Sequence, residues 1–430
     1  MLEVSSSSAG SFEVEGSYTT PVVKSSKMNY VSQFGTIMNL INSLMGAGIL
    51  SVPNSFTFCG FFPTFILMTA IAALSYCSAC LIVKLQLTSQ AASFSDKAEM
   101  TMGKIGSVLL SICVSLFCYS SMVAYLIIGS DILISFFKLG GITMPDVWGR
   151  PVLVLVFSFV CPILMTVPKK LNILSAISTI AVFGLFLFFF SMIYKGIDHF
   201  FIKKETVHPT VELYEISLGF FNALGVHSLS FAMVVILLPI IMPSHPNIRK
   251  RYFSVGASFF VCYALVMIPG VIGYLMFGAT TEPVILDSFS EKDVLMIIVR
   301  AGYFVILSAS YPVIGVSLIS TFGKAIFKVD NMLDLNWRQR FVCLLFENVP
   351  TLLVSIFIPN VRPILAIGGA IGGCMTNFFF PGVFALRLTQ KKLYHWKNIL
   401  CFALAGFGVV TTVISTYEGV IDAIKSIKEN

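Results

Sequence analysis

From residue 34 onward, long apolar runs alternate with short polar breaks, and this alternation fixes the solvent in which the chain must fold. Eleven runs are predicted, at 34–56, 62–86, 105–137, 150–168, 172–194, 215–241, 254–278, 294–322, 340–358, 361–387 and 397–418. Each is about the length that spans a bilayer as a helix, roughly 20 residues. Backbone polar groups in hydrocarbon must pair within their own segment, so runs of this length predict α-helices. The rest of the composition agrees, with 57% hydrophobic residues, 11% charged residues and a mean hydropathy of +0.90. Those values exclude a soluble multi-domain enzyme. The expected fold class is an all-α integral membrane protein with eleven transmembrane helices.

The charges give an orientation. With the first residues in the cytoplasm, 18 of the 28 lysines and arginines fall on the inner side, Lys169, Lys170 and Arg249-Lys250-Arg251 among them. The connection after span seven carries Glu282, Asp287, Glu291 and Asp293. A cytoplasmic N-terminus follows from this bias, and eleven spans then put the C-terminus on the opposite side. The net charge of +7 reads as juxtamembrane lysine and arginine, not as a nucleic-acid footprint. Residues 1–33 are polar, hold the serine run Ser5 to Ser8 and have no apolar core. They read as a disordered cytoplasmic tail rather than a signal peptide. Nine of the ten cysteines fall inside apolar runs, and the spacing Cys77-Ser78-Ala79-Cys80 reads as small packing residues in mid-span.

Within span one, Asn42, Ser43 and the triplet Gly46-Ala47-Gly48 sit at mid-membrane depth. Glycines there suit either close helix packing or a helix that breaks over a cavity. Polar neighbours are costly in hydrocarbon unless used, which favours the break. Span six carries a second polar interruption, from Asn222 through Gly225, His227, Ser228 and Ser230 to Phe231. Four spans separate the two, so they enter from opposite faces. Paired interrupted helices in two oppositely oriented halves point to a 5+5 inverted repeat: residues 34–194, then 215–387, with 397–418 as an additional eleventh helix.

Several stretches resemble the amino acid/auxin permease family, which includes sodium-coupled neutral and vacuolar amino acid transporters. Asn42-Ser43-Leu44-Met45-Gly46-Ala47-Gly48-Ile49-Leu50 is similar to the family's first-helix motif. Met122 to Asp131 resembles its third helix, and Pro162-Ile163-Leu164 with Pro168-Lys169-Lys170-Leu171-Asn172 its fourth-to-fifth connection. Tyr311-Pro312-Val313 in span eight is a fainter echo. The resemblance implies the leucine-transporter type of fold and transport of amino acids by alternating access. One departure stands out. Sodium-coupled members carry a histidine after a phenylalanine-alanine pair in span six, whereas here Phe231-Ala232-Met233 leads into Val234 and His227 precedes it.

The expected substrate site comprises Asn42, Ser43, Gly46, Ala47 and Gly48 of span one, Tyr125 of span three, and Ser228, Ser230 and Phe231 of span six. Freed amides and a helix N-terminus suit a carboxylate, and loose carbonyls suit an ammonium. Coupling to Na+ would draw on carbonyls near Met45 and Gly48 with hydroxyls of Ser308 and Ser310. Coupling to H+ would need a titratable group, and His227 is the one mid-span histidine. Glu347 lies about two turns inside span nine, where it could reach water or pair with Arg340. Arg300 near the outer boundary would snorkel. Gly368-Gly369-Ala370-Ile371-Gly372-Gly373 would bring helix backbones together. No cofactor motif, zinc motif or nucleophile elbow occurs. The implied partners are an amino acid and the bilayer of a plasma, vacuolar or lysosomal membrane, with no nucleic acid and a monomer sufficing. A non-transporting sensor of the same fold is the closest alternative, and an ion channel the remoter one.

Overall fold

The computed structural model describes residues 30–44, 46, 48–89, 94–142, 148–167, 172–215, 217–329, 332–358, 360–388 and 395–428. Most of the expected tail lies outside them, while Val31 already donates its amide to the Pro243 carbonyl. Residues Val31–Asn430 form one compact unit. Its helices, in chain order, are α1 (Gln33–Leu44), α2 (Gly48–Ser55), α3 (Phe61–Ser89), α4 (Phe94–Leu139), α5 (Gly149–Ser158), α6 (Leu164–Thr166), α7 (Asn172–Ile197) and α8 (Gly219–Ser230). There follow α9 (Val234–Ile241), α10 (Ile248–Phe277), α11 (Val294–Phe327), α12 (Trp337–Phe357), α13 (Val361–Gly368), α14 (Phe380–Leu388) and α15 (Trp396–Lys428).

Short polar side chains start several of these helices at the ends of the apolar runs. Asn247 accepts from the Arg249 amide, Asp293 from Leu295 and Met296, and Asn360 from Arg362. Asn336 and Gln339 form a capping box at α12. Among the described residues nine helices are long and apolar enough to cross a membrane, or ten when the bent pair formed by α1 and α2 counts as one. The fourth predicted span is the exception. Around Pro162 it becomes the short α5, a π-helical turn Phe159–Ile163 and the three-residue α6. The third is longer than predicted, because a segment beginning at Phe94 joins it across a kink at Gly103, whose φ is 68°.

Two packing relationships position the site. α11 lies against α4 and α7, while α2 lies against α8 and α10. A π-helical stretch, Gly369–Phe379, links α13 to α14 and packs on α8 and α15. The glycine run reads as predicted. A β-carbon at Gly369 would fall on the Gly225 carbonyl, one at Gly373 would lie 2.8 Å from the Ser228 carbonyl oxygen, and one at Gly372 would meet Phe117. Backbone meets backbone here because no side chain intervenes.

Candidate functional site

The first span breaks where its glycines stand. α1 ends at Leu44, α2 starts at Gly48, and the two halves are bent by 59°. Met45 and Ala47 lie outside the described residues. Gly46 faces the Tyr125 hydroxyl so closely that a β-carbon would collide with it. A β-carbon at Gly48 would lie 2.6 Å from Ser230 Oγ. The small residues therefore let α4 and α8 approach the break.

The sixth span breaks one step later than its polar residues suggest. α8 continues through Ser228 and Ser230 and is interrupted at Phe231–Met233, before α9 begins at Val234. Ser230 supports the last turn by donating to the Val226 carbonyl at 2.9 Å. Carbonyls loosened at the break have a partner that sequence reasoning missed. Asn377, fully buried, donates to Ser228 O at 3.2 Å and Phe231 O at 3.3 Å. Cys374 Sγ donates to Ser228 Oγ at 3.3 Å.

Beside the first break lies a cavity of about 90 Å³. Asn42 and Ser43 of α1 and Tyr125 of α4 line it, as does Ser310 of α11. Its other walls are Phe117 and Cys118 of α4, Val235 and Ile236 of α9, and Ala309, Val313, Ile314 and Ser317 of α11. Ser228, Ser230 and Phe231 do not line it; they are buried behind it, with the Phe231 ring tilted against Tyr263 at 6.5 Å. The α11 residues recur at three- and four-residue spacing, as do Phe117 or Cys118 with Tyr125 at two turns. That periodicity was the available signal for one helix face. Nothing marked Val235 and Ile236.

The far end of α2 is clasped. Asn54 Nδ2 donates to the Thr281 carbonyl at 2.6 Å and Asn54 Oδ1 accepts from Arg362 Nε at 3.0 Å. The Arg362 guanidinium also lies over the Phe58 ring, 5.1 Å from its centroid. Contacts thus join α2, α13 and the turn after α10.

Five candidate coupling or ionisable residues have definite surroundings. His227 is fully buried, its Nε2 lies 3.2 Å from Ser55 Oγ, and its Nδ1 has no partner among the described residues. Ser308 donates to the Phe304 carbonyl at 2.7 Å. Glu347 neither reaches water nor forms the expected ion pair: it is fully buried, and both carboxylate oxygens lack a hydrogen-bond partner among the described residues. Arg340 instead donates to the carbonyls of Thr166, at 2.9 Å, and Val167, at 3.2 Å. Arg300 does not snorkel either. Its guanidinium turns into the protein and donates to the carbonyls of Leu286, Phe289 and Ser290. The carbonyls of the 285–288 turn and of the two residues after it accept charge-assisted hydrogen bonds from the guanidinium, which holds it inward.

Outside the spans, Asp287 on that turn has its pKa pushed up to about 7, first by the protein crowded around its carboxyl and then by the nearby Asp131 carboxylate, against the Arg300 guanidinium. Over its whole surface Asp287 is nonetheless exposed, so it is the carboxyl end alone that the protein crowds. Around it, Asp131 pairs with Arg150 at 3.5 Å, Lys138 with Glu291 at 3.3 Å, and Lys195 with Asp293.

The molecule is thus a helical membrane bundle whose first span parts beside a mostly apolar cavity carrying a few polar groups. Residues 31–422 match the family model described as transmembrane amino acid transporter protein, and the chain belongs to that family. Sodium-coupled neutral amino acid transporter 7 of Rattus norvegicus is 23% identical over 417 residues, covering 90% of this chain and 86% of the relative. Amino acid transporter AVT6E of Arabidopsis thaliana is 23% identical over 410 residues, covering 89% and 82%. Two solved structures share the fold at 14% identity. The manganese transporter of Eremococcus coleocola matches with a TM-score of 0.59, over 90% of this chain and 86% of its own. MhsT in complex with L-phenylalanine matches with a TM-score of 0.55, over 91% and 99%. Transport, not covalent chemistry, is what the family does. Among the described residues no three His, Cys, Asp or Glu side chains gather as metal ligands.

Proposed function

We propose that this chain carries amino acids across a membrane by alternating access, with the substrate held at the break in span one. The carrying observation is the cavity at that break, where polar groups of α1, α4 and α11 converge. Its size admits several water molecules, the scale of a small solute. Asn42, Ser43 and Tyr125 would contact the substrate directly. Gly46, Ala47 and Gly48 would supply backbone amides beside the N-terminus of α2, which suits a carboxylate. Ser228, Ser230 and Phe231 would join on the span-six side once the cavity widens.

The accompanying architecture is eleven spans with a cytoplasmic N-terminus, arranged as inverted halves 34–194 and 215–387 with 397–418 outside the repeat. Coupling is to Na+ or H+, as a symporter of a plasma, vacuolar or lysosomal membrane, with Met45, Gly48, Ser308, Ser310 and His227 as the groups at hand. The sodium-coupled name of the rat relative supports the first ion. Its reach to this chain is what the experiment decides. Purified protein in liposomes is given labelled amino acids under separate sodium and pH gradients. Accumulation against a gradient is expected, whereas saturable binding without flux would make the chain a sensor and single-channel currents would make it a channel.

A further inference from the structure

Glu347 is a feature that the substrate site leaves unexplained. Its carboxyl is sealed from solvent in α12 and unpaired at both oxygens among the described residues. An ionised carboxylate in such a place loses its hydration with nothing in return, so the neutral acid is the form that fits.

Its neighbours make room for the group without charging it. On α11, Gly315 lies directly against the carboxyl, and a β-carbon there would coincide with Oε1. Tyr311, one turn earlier, is engaged with Asn348 at 2.9 Å and Thr351 at 3.3 Å. From α4, Cys118 and Tyr119 face it, the Tyr119 hydroxyl donating to the Phe346 carbonyl. On α12 itself stand Cys343 and Arg340, whose guanidinium reaches the end of α6. Position matters as much as burial. Ile314 and Ser317 of α11 line the cavity, and so does Cys118 of α4. At about 3.6 residues per turn, Gly315 falls on the face of α11 opposite those lining residues, so Glu347 stands across α11 from the cavity.

We propose that Glu347 is a proton-binding site of the transport cycle, its carboxyl loading and releasing a proton at the seam that Gly315 leaves between α11 and α12. The proposal rests on the transport reading above. In each turnover the O–H bond forms with a proton from water on one side and breaks to water on the other. One positive charge thus crosses with each neutral amino acid. Movement of α11 against α12 is what opens the carboxyl to water.

The test uses full-length protein in sodium-free liposomes, a labelled mixture of the standard amino acids and an imposed pH gradient. Wild type is expected to concentrate label and to acidify the receiving side. Glu347→Gln should lose accumulation altogether and exchange label at a rate that no longer varies with pH, while Glu347→Asp restores accumulation with a displaced pH profile. Accumulation by Glu347→Gln equal to wild type overturns the proposal, as does a profile flattened by His227→Gln and not by Glu347→Gln. Should wild type move no label under any gradient, the transport reading fails instead. Independently of any variant, dicyclohexylcarbodiimide should modify Glu347 of the wild-type protein, as read by mass spectrometry, and more slowly as pH rises. An unmodified Glu347 at acidic pH overturns the assignment.

Discussion

At Gly48 the space is set by one hydroxyl. A β-carbon added there would lie 2.6 Å from Ser230 Oγ but 3.5 Å from Ser230 Cβ. Overpacking of this kind costs about 1–3 kcal/mol. Gly48→Ala is accordingly expected to lower the unfolding temperature in detergent, and adding Ser230→Ala to recover most of the loss, because the remaining contact is an ordinary one. Equal losses in the single and double variants would place the strain elsewhere. Gly48→Val is too large for that rescue and should abolish uptake while the protein still reaches the membrane, as a surface or organelle fraction would show.

The two interrupted spans differ in how readable they are. Gly46 and Gly48 announce the first break, since glycine frees the backbone and admits Tyr125 and Ser230. The second has neither glycine nor proline at Phe231–Met233, so polarity alone drew attention to Ser228 and Ser230, which are still helical. Its support comes from Asn377, 149 residues away from Ser228 in sequence, a pairing that no local pattern encodes. Arg300 and Arg340 were misjudged for a related reason: carbonyls at element ends, not water, lipid or the Glu347 carboxyl, decide where their guanidinium groups go. Each carbonyl stranded in an apolar interior costs about 1–3 kcal/mol. Asn377→Leu should therefore destabilise the protein by about 2 kcal/mol, seen as an earlier unfolding transition. At the end of α2, cutting the clasp with Arg362→Ala is expected to speed thiol labelling of Cys118 in the cavity several-fold. An unchanged rate would mean that access does not pass that end.

Over the whole molecule, one end of α4, α7 and α11 gathers its charges into pairs, and Asp287 stands among them with no ion-pair partner among the described residues. With its pKa raised from 3.8 to about 7, the folded chain holds that proton more tightly than the unfolded chain does. The resulting stabilisation is complete below the lower value and is lost as pH climbs through the upper one. Asp287→Asn, which cannot ionise, should lose that part of the pH dependence in thermal unfolding curves recorded across this window. Curves for variant and wild type that stay parallel would remove Asp287 from the account. The span pattern and the first break were legible because bilayer thickness and glycine act locally. The cavity's apolar wall from α9 was not, because Val235 and Ile236 look like any lipid-facing pair.

The contact between α8 and the π-helical stretch has a hereditary consequence. Flexible neighbours can lean aside for a newcomer, but a carbonyl fixed in a helix cannot, so codons 225, 369 and 373, whose glycines each face one, have almost no permissible misspelling. A saturation library selected for growth on the carried nutrient should come back blank at those three codons, while exposed positions of α15 such as Val410 and Val413 accept many replacements.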